Sequence, residues 1–247
     1  VVERTQVATA AVRTELLVEL AQARWRAGHM GAARDAGRRA LEVARTAGES
    51  GAVAAAALAF AGQLPGFGAI ACDEEVVAEL EHALAALPPT ATALRAMVMA
   101  RLAEELTYLP RRTADRTLAL KAITLARSLD DPAVLARVLR TTQWSVWTPD
   151  DVERRCQLAE EIIALAGRTR DPVLALDGEI VRLWNALEHG EMDVARRQLV
   201  VATRLADRLR LPYYTWNTTL ARACLHIASG RLDDAEAYGR EAVNRRR

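Results

Sequence analysis

Small apolar positions recur along this chain at two spacings at once. Alanines seven residues apart form six pairs: Ala33/Ala40, Ala78/Ala85, Ala119/Ala126, Ala159/Ala166, Ala195/Ala202 and Ala235/Ala242. The pairs themselves return every forty residues or so. Seven residues is two turns of α-helix, so both members of a pair share one face, where a neighbouring helix can approach closely. Sustained apolar/polar alternation at period two, the mark of a half-buried strand, is absent. A helical chain that repeats itself at a fixed period predicts stacked hairpins, each burying the apolar face of the next.

Proline sets the repeat length independently. Pro132, Pro172 and Pro212 lie 40 residues apart. Proline inside a helix costs about 3 kcal/mol, so these residues mark helix starts and not interiors. Asp131-Pro132 and Asp171-Pro172 pair an N-cap carboxylate with proline at the first helical position. Thr148-Pro149-Asp150-Asp151 does the same and adds acids at the positive end of the helix dipole. The resulting division is into six hairpins: 10–27 with 31–47, 51–63 with 73–87, 91–108 with 114–129, 132–147 with 150–167, 172–189 with 192–209, and 212–229 with 232–245. The second contains the loop Leu64-Pro65-Gly66-Phe67-Gly68. No linker composition interrupts the series, so residues 1–247 are expected to form a single domain. The start at Val1 and the end at Arg245-Arg246-Arg247 point to a piece of a larger multidomain protein.

Gly28, Gly190 and Gly230 each precede an alanine pair by five and twelve residues, where a glycine suits the left-handed residue that closes a helix. This G-x4-A-x6-A spacing resembles the tetratricopeptide repeat, with Ala33, Ala195 and Ala235 at its central small position. The repeats run near 40 residues where that family has 34, and hairpins two to four lack the turn glycine. A second resemblance rests on Gln143-Trp144-Ser145-Val146-Trp147-Thr148-Pro149-Asp150-Asp151, continuing through Arg154-Arg155-Cys156-Gln157-Leu158-Ala159-Glu160-Glu161. Arg182-Leu183-Trp184 and Leu211-Pro212-Tyr213-Tyr214-Thr215-Trp216 follow. These runs are similar to the helical-repeat region of large actinobacterial ATPase/LuxR-type transcriptional regulators. The resemblance implies an all-α, right-handed superhelical solenoid of about six antiparallel hairpins and a cytoplasmic sensor or assembly role.

Composition narrows the partners. Apolar residues make up 51% of the chain but aromatics only 4%, so alanine and leucine must do most of the packing. Charged residues are 26%, the net charge is +1 and Lys121 is the only lysine. That balance argues against broad attraction to nucleic acid or anionic lipid. Ser50–Cys72 carries no charge over a bilayer's span, but it is mostly Ala and Gly and is broken by Gln63, Pro65 and Gly66, so a buried helix and loop are expected, with no membrane partner.

Chemistry is sparse. No G-x4-G-K-[ST] loop and no G-x-S-x-G elbow occurs, and Lys121 sits within a helix. Gly66-Phe67-Gly68 reads as an inter-helix loop. His29, His82, His189 and His226 fall in different hairpins without ligand spacing. Cys72, Cys156 and Cys224 are far apart, which predicts buried free thiols and neither disulfide nor metal. Arg154-Arg155 beside Cys156 would lower that thiol's pKa if the side chain were reactive, against the plainer reading of a small helix residue. Glu104/Glu105 and Glu160/Glu161 read as solvated helix faces. Neither a catalytic residue nor a cofactor is expected.

The tryptophans are more informative, because Trp144, Trp147, Trp184 and Trp216, with Tyr213 and Tyr214, lie on or at the ends of first helices. In tetratricopeptide arrays first helices line the concave groove. Register from Gly190 places Ile180 and Trp184 on that face with Leu187 and Glu188 nearby, and register from Gly28 places Gln22, Trp25 and Arg26 there. Trp144, Tyr213 and Trp216 complete the candidate groove, set against the alternative that each aromatic fills the inter-repeat core. The expected function is a non-enzymatic binding or sensor scaffold for a peptide, a sister domain or a small effector. The alternative is a self-association module, a homodimer, that assembles the parent protein. Direct nucleic-acid binding finds no helix-turn-helix signature.

Overall fold

The computed structural model describes residues 9–62, 73–107, 112–147 and 151–245. Among them are twelve α-helices and no strand: α1 (Ala10–Arg26), α2 (Met30–Ala47), α3 (Ser50–Ala61), α4 (Glu74–Ala86), α5 (Thr92–Leu106), α6 (Arg112–Arg127), α7 (Pro132–Thr142), α8 (Val152–Thr169), α9 (Pro172–Glu188), α10 (Met192–Leu209), α11 (Pro212–Ala228) and α12 (Leu232–Arg245). The chain divides into two compact units, Val1–Ser145 and Val146–Arg247. The division falls within the fourth expected hairpin. Helix α7 packs on α5 and α6 in the first unit, and α8 packs on α9 in the second. Gly66-Phe67-Gly68, Cys72 and Thr148-Pro149-Asp150 lie outside the described residues.

Local chemistry accounts for the helix ends. The Asp131 side chain accepts from the Ala133 and Val134 amides at 2.9 and 3.1 Å, and Asp171 does the same for Val173 and Leu174 at 2.9 and 3.1 Å. Each thereby satisfies amides that the first helical turn leaves without partners. Gly28, Gly190 and Gly230 adopt φ of 80, 74 and 71°, as their spacing predicts. Helices α8 and α10 close differently, on Arg170 and Arg210, both left-handed at φ 54°. In each case a proline two residues on, Pro172 or Pro212, begins the next helix.

In the first unit the core runs through Leu41, Phe60, Leu80, Val98 and Leu102, filled in by alanine. Helices α2 and α3 meet at Gly37, where an added Cβ would lie 2.5 Å from the Phe60 Cα. Arg34 and Arg38 stack over the Phe60 ring, 4.5 and 5.3 Å from its centroid. They then reach α4, where Arg34 pairs with Asp73 at 2.6 Å and both arginines pair with Glu75 at 3.0 Å. Asp73 also caps α4, accepting from Glu75 and Val76. The Arg34 guanidinium, and then the two amides, hold the Asp73 carboxyl below the usual carboxylate range against the opposing effect of its burial. In the second unit Leu176, Leu183, Leu199 and Leu225 surround Ala195, Ala202, Ala206 and Ala221.

Two expectations are corrected. Ala78 and Ala85 are exposed; the buried face of α4 is Val76, Leu80 and Ala83, so that alanine pair is on the wrong side of its helix. Glu104 and Glu105 are not a solvated face but are 5 and 4% exposed. Arg101 pairs with Glu104 at 3.3 Å and with Glu105 at 2.5 Å. Its Nη2 and Nε also donate to the carbonyls of Ala61 and Gly62 at 2.9 and 3.3 Å. The guanidinium thus covers the negative end of α3 while neutralising both acids. No helix among the described residues is long and apolar enough to cross a membrane.

Gly37→Ala is expected to cost about 1–3 kcal/mol or more in urea unfolding, because backbone and not a flexible side chain blocks the new methyl. Gly31→Ala, whose methyl meets nothing within 4 Å, is expected to cost nothing. Asp73→Asn keeps the cap and removes the charge. Because the folded carboxyl titrates below the unfolded one, its contribution is present above pH about 4 and is lost as pH falls further. The variant is therefore expected to be destabilised at pH 7, by no more than about 1 kcal/mol for a pair this exposed, with the difference shrinking towards pH 2. Parallel pH-dependent melts check this.

Candidate functional site

Helix α9 carries a polar row through the second unit's interior. Asp177 and Asn185 are 2 and 3% exposed, and Trp184 lies half-buried beside them. Residues 177, 181, 184, 185 and 188 recur at helical spacing, so they form one broad face. On one side the row meets α11. The Tyr214 hydroxyl donates to Asp177 Oδ1 at 2.5 Å, and the Trp184 indole N–H donates to Asn217 Oδ1 at 2.9 Å. On the other side it meets α8, where Arg155 Nη1 pairs with Glu188 Oε2 at 2.5 Å. Gly178, next to Asp177, permits that approach: a Cβ there would lie 2.5 Å from Ile163 Cγ1.

Arg155 is unusual. Its side chain is 1% exposed, and its guanidinium lies 4.1 Å from the centroid of the Trp147 ring. Ring stacking and one carboxylate leave its Nε and Nη2 buried with no partner among the described residues. Those two donors form the edge of the planar fork that binds a carboxylate side-on. Asn185 Oδ1 and Asn217 Nδ2 are likewise buried and unpartnered. Leaving a buried polar group unmatched costs roughly 1–3 kcal/mol, so these atoms of Arg155, Asn185 and Asn217 are places where water or a bound group would complete the hydrogen bonding.

Beside this interior row α11 presents aromatic surface. Tyr213 and Trp216 are half-buried with centroids 5.7 Å apart, and Tyr213 meets Tyr214 edge-on at 5.2 Å. With Leu220 one turn further on, they form a half-buried stripe at i, i+3, i+7.

The remaining candidate residues are dispersed. Ile180 is 4% exposed within the α9 core, and Leu187 packs against the same cluster. Glu188 is the counterion of Arg155. In the first unit the Trp25 indole donates to the Ala59 carbonyl at 3.2 Å and its ring lies on Gly62, so it closes the end of α3. Gln22 is half-buried, Arg26 exposed, and Trp144 8% exposed.

The comparisons bear on the fold. The crystal structure of the apo form of RapI superposes with a TM-score of 0.68 at 14% identity, covering 98% of this chain and 86% of that one. The fold is a tetratricopeptide-like helical-repeat solenoid. No family profile matches the sequence, and no curated protein is similar to it in sequence.

Cysteine chemistry differs from expectation. Cys156 is exposed and Cys224 only half-buried. Partial burial of its sulfur pushes the Cys156 thiol up, outweighing the pull of Arg155. Among the described residues no group of three His, Cys, Asp or Glu is placed to hold a metal ion.

Asp177, Asn185 and Asn217 are not among the residues the sequence singles out, and Arg155 is read there only as a neighbour of Cys156. The available signal was a polar residue at a core register position: Asp177 sits between Leu176 and Ile180, and Asn217 between Tyr214 and Ala221.

Glu188→Ala is expected to destabilise the chain by about 2 kcal/mol or more, because it leaves a fully buried guanidinium without a counterion. Arg155→Met, which removes the charge and keeps the volume, is expected to be neutral or stabilising. Urea unfolding of both variants gives this order if Arg155 serves something other than stability, and the reverse order if it does not.

Proposed function

We propose that this chain is a non-enzymatic binding scaffold whose second unit recognises a peptide through the first helices α9 and α11. One observation supports the reading above others. Half-buried ring surface at Trp184, Tyr213 and Trp216 lies on the same two helices as buried polar groups with unfilled hydrogen-bonding capacity. A peptide supplies both complements, apolar side chains for the rings and main-chain carbonyl and N–H groups for the Asn217 donor and the Asn185 acceptor. The helical-repeat fold is consistent with such a role. Within a multidomain transcriptional regulator of the kind the sequence resembles, occupancy would act by binding one arrangement of the parent better than another.

Selection from a displayed random-peptide library is the direct test. Bound peptides are expected to lose about tenfold or more in affinity, roughly 1.4 kcal/mol, for Trp184→Ala or Trp216→Ala, with unchanged helical circular dichroism. Peptides that hold both variants as tightly as the unaltered chain would remove this face from consideration.

A second reading rests on exposed apolar side chains in the last hairpin. Ile227, Leu232 and Val243 are 59, 65 and 59% exposed, and they favour self-association. Light scattering that stays monomeric at high concentration, or a dimer indifferent to Leu232→Glu, would exclude it.

A further inference from the structure

A separate concavity lies between α10 and α11, closed at one end by Arg231. Its volume is about 390 Å³, and it is lined by Arg196, Leu199, Val200, Thr203, Arg204, Arg222, Leu225, His226 and Arg231. Four arginines and a histidine face it, and none of the lining residues is acidic. Two of the arginines are neutralised locally, Arg196 by Asp193 at 2.7 Å and Arg231 by Asp234 at 3.7 Å. Arg204 has no ion pair among the described residues, and Arg222 rests over the Tyr238 ring at 5.2 Å from its centroid. The floor is apolar. Leu199 and Leu225 are buried, and Val200 is 49% exposed. The Thr203 hydroxyl is buried without a hydrogen-bond partner. This hollow uses the Arg222–His226 stripe of α11, not the Tyr213–Trp216–Leu220 stripe.

We propose that this hollow is a second docking site, and that its occupant is an acidic peptide segment anchored by an apolar side chain. Charge complementarity fixes the sign: surplus guanidinium at Arg204 and Arg222 answers carboxylates. The apolar floor fixes the rest. A nucleic-acid backbone would leave Leu199, Val200 and Leu225 facing phosphate and sugar, and a chain of net charge +1 has no general attraction for it. The volume admits one or two apolar side chains, with exposed Val200 at the edge of the contact. The acidic residues of the segment lie on the arginine rim and its apolar residue fills the floor.

Fluorescence anisotropy on the whole chain decides the matter. The probe is a labelled peptide of about twelve residues alternating Glu and Leu, compared with a Lys/Leu peptide, a Glu/Ser peptide and a single-stranded oligonucleotide of similar length. The Glu/Leu peptide is expected to bind about tenfold or more tightly than each of the others and to weaken as salt is raised from low to molar ionic strength. Arg204→Glu and Val200→Glu, both exposed and outside the core, are each expected to reduce binding about tenfold or more, whereas Trp216→Ala leaves it unchanged. The proposal is overturned by no measurable binding of the Glu/Leu peptide, or by equal binding of the Lys/Leu or Glu/Ser peptide. A tighter oligonucleotide would make the hollow a polyanion site, and binding indifferent to both Arg204→Glu and Val200→Glu would place the peptide elsewhere.

Discussion

Close approach of helices at their small residues is the constraint on which the fold depends. Fully buried alanines at positions 33, 40, 119, 159, 195 and 202, together with Gly37 against the Phe60 backbone and Gly178 against the Ile163 side chain, let neighbouring helices come close. Burying a methyl group yields little hydrophobic energy, about 0.8 kcal/mol per carbon, so stability must come from many short-range contacts and not from a few large side chains. This explains how a chain with 4% aromatic residues can hold a well-packed interior. It also explains why the aromatics are available elsewhere, at helix ends such as Trp25 over Gly62 and on the half-buried stripe of α11.

A small-residue interior has a second consequence. Interfaces built from alanine are nearly featureless, and many registers of one helix against another would bury similar area. The buried polar contacts remove that ambiguity. Tyr214 finds Asp177 and Trp184 finds Asn217 in one alignment of α9 with α11, while Arg155 finds Glu188 in one alignment of α9 with α8. In the first unit Arg101 plays the same part, joining the end of α3 to two acids of its own helix. Such contacts contribute little net stability, since desolvation offsets most of the Coulombic gain, but a misaligned helix would leave each of these groups buried and unmatched.

Much of this organisation is legible in the sequence alone, and the reasons are local. Proline and a preceding aspartate force helix starts at Pro132 and Pro172 whatever surrounds them. Glycine at 28, 190 and 230 serves a backbone conformation that other residues avoid. Arg170 and Arg210 were not legible as helix ends, because an arginine is no signal for φ of 54°; the proline two positions on carried the information instead. The reading of Glu104 and Glu105 failed for a different reason. Adjacent acids on a helix point apart, which predicts solvent exposure, but Arg101, three and four residues earlier, reaches both at helical spacing and makes their burial tolerable. Ala78 and Ala85 show the limit of the seven-residue spacing: in an alanine-rich chain it finds a face, but only Val76 and Leu80 say which face is buried. The candidate binding residues were legible as a type more than as a set. Aromatic first helices were apparent, whereas the polar row that meets them depends on which side α8 and α11 approach, and that is a tertiary fact.

The second unit then separates two kinds of polar chemistry by depth. Its interior row is buried and geometrically specific, with Tyr214 on Asp177, Trp184 on Asn217 and Arg155 on Glu188. Its arginine-lined hollow is built on long side chains beside leucine and valine, with Arg196 and Arg231 paired to acids and Arg222 over the Tyr238 ring. Such a surface tolerates variation, because a long exposed side chain such as Arg204 can shift without moving a helix. Orientation-specific recognition and charge-led recognition place opposite demands on packing, and a repeat of two helices can meet both by assigning them to different stripes. On α11 the residues 213, 216 and 220 belong to one stripe and 222 and 226 to another, and the buried residues Tyr214, Asn217, Ala221 and Leu225 hold the two in fixed relation. A substitution on one stripe therefore leaves the other intact unless it reaches the core between them.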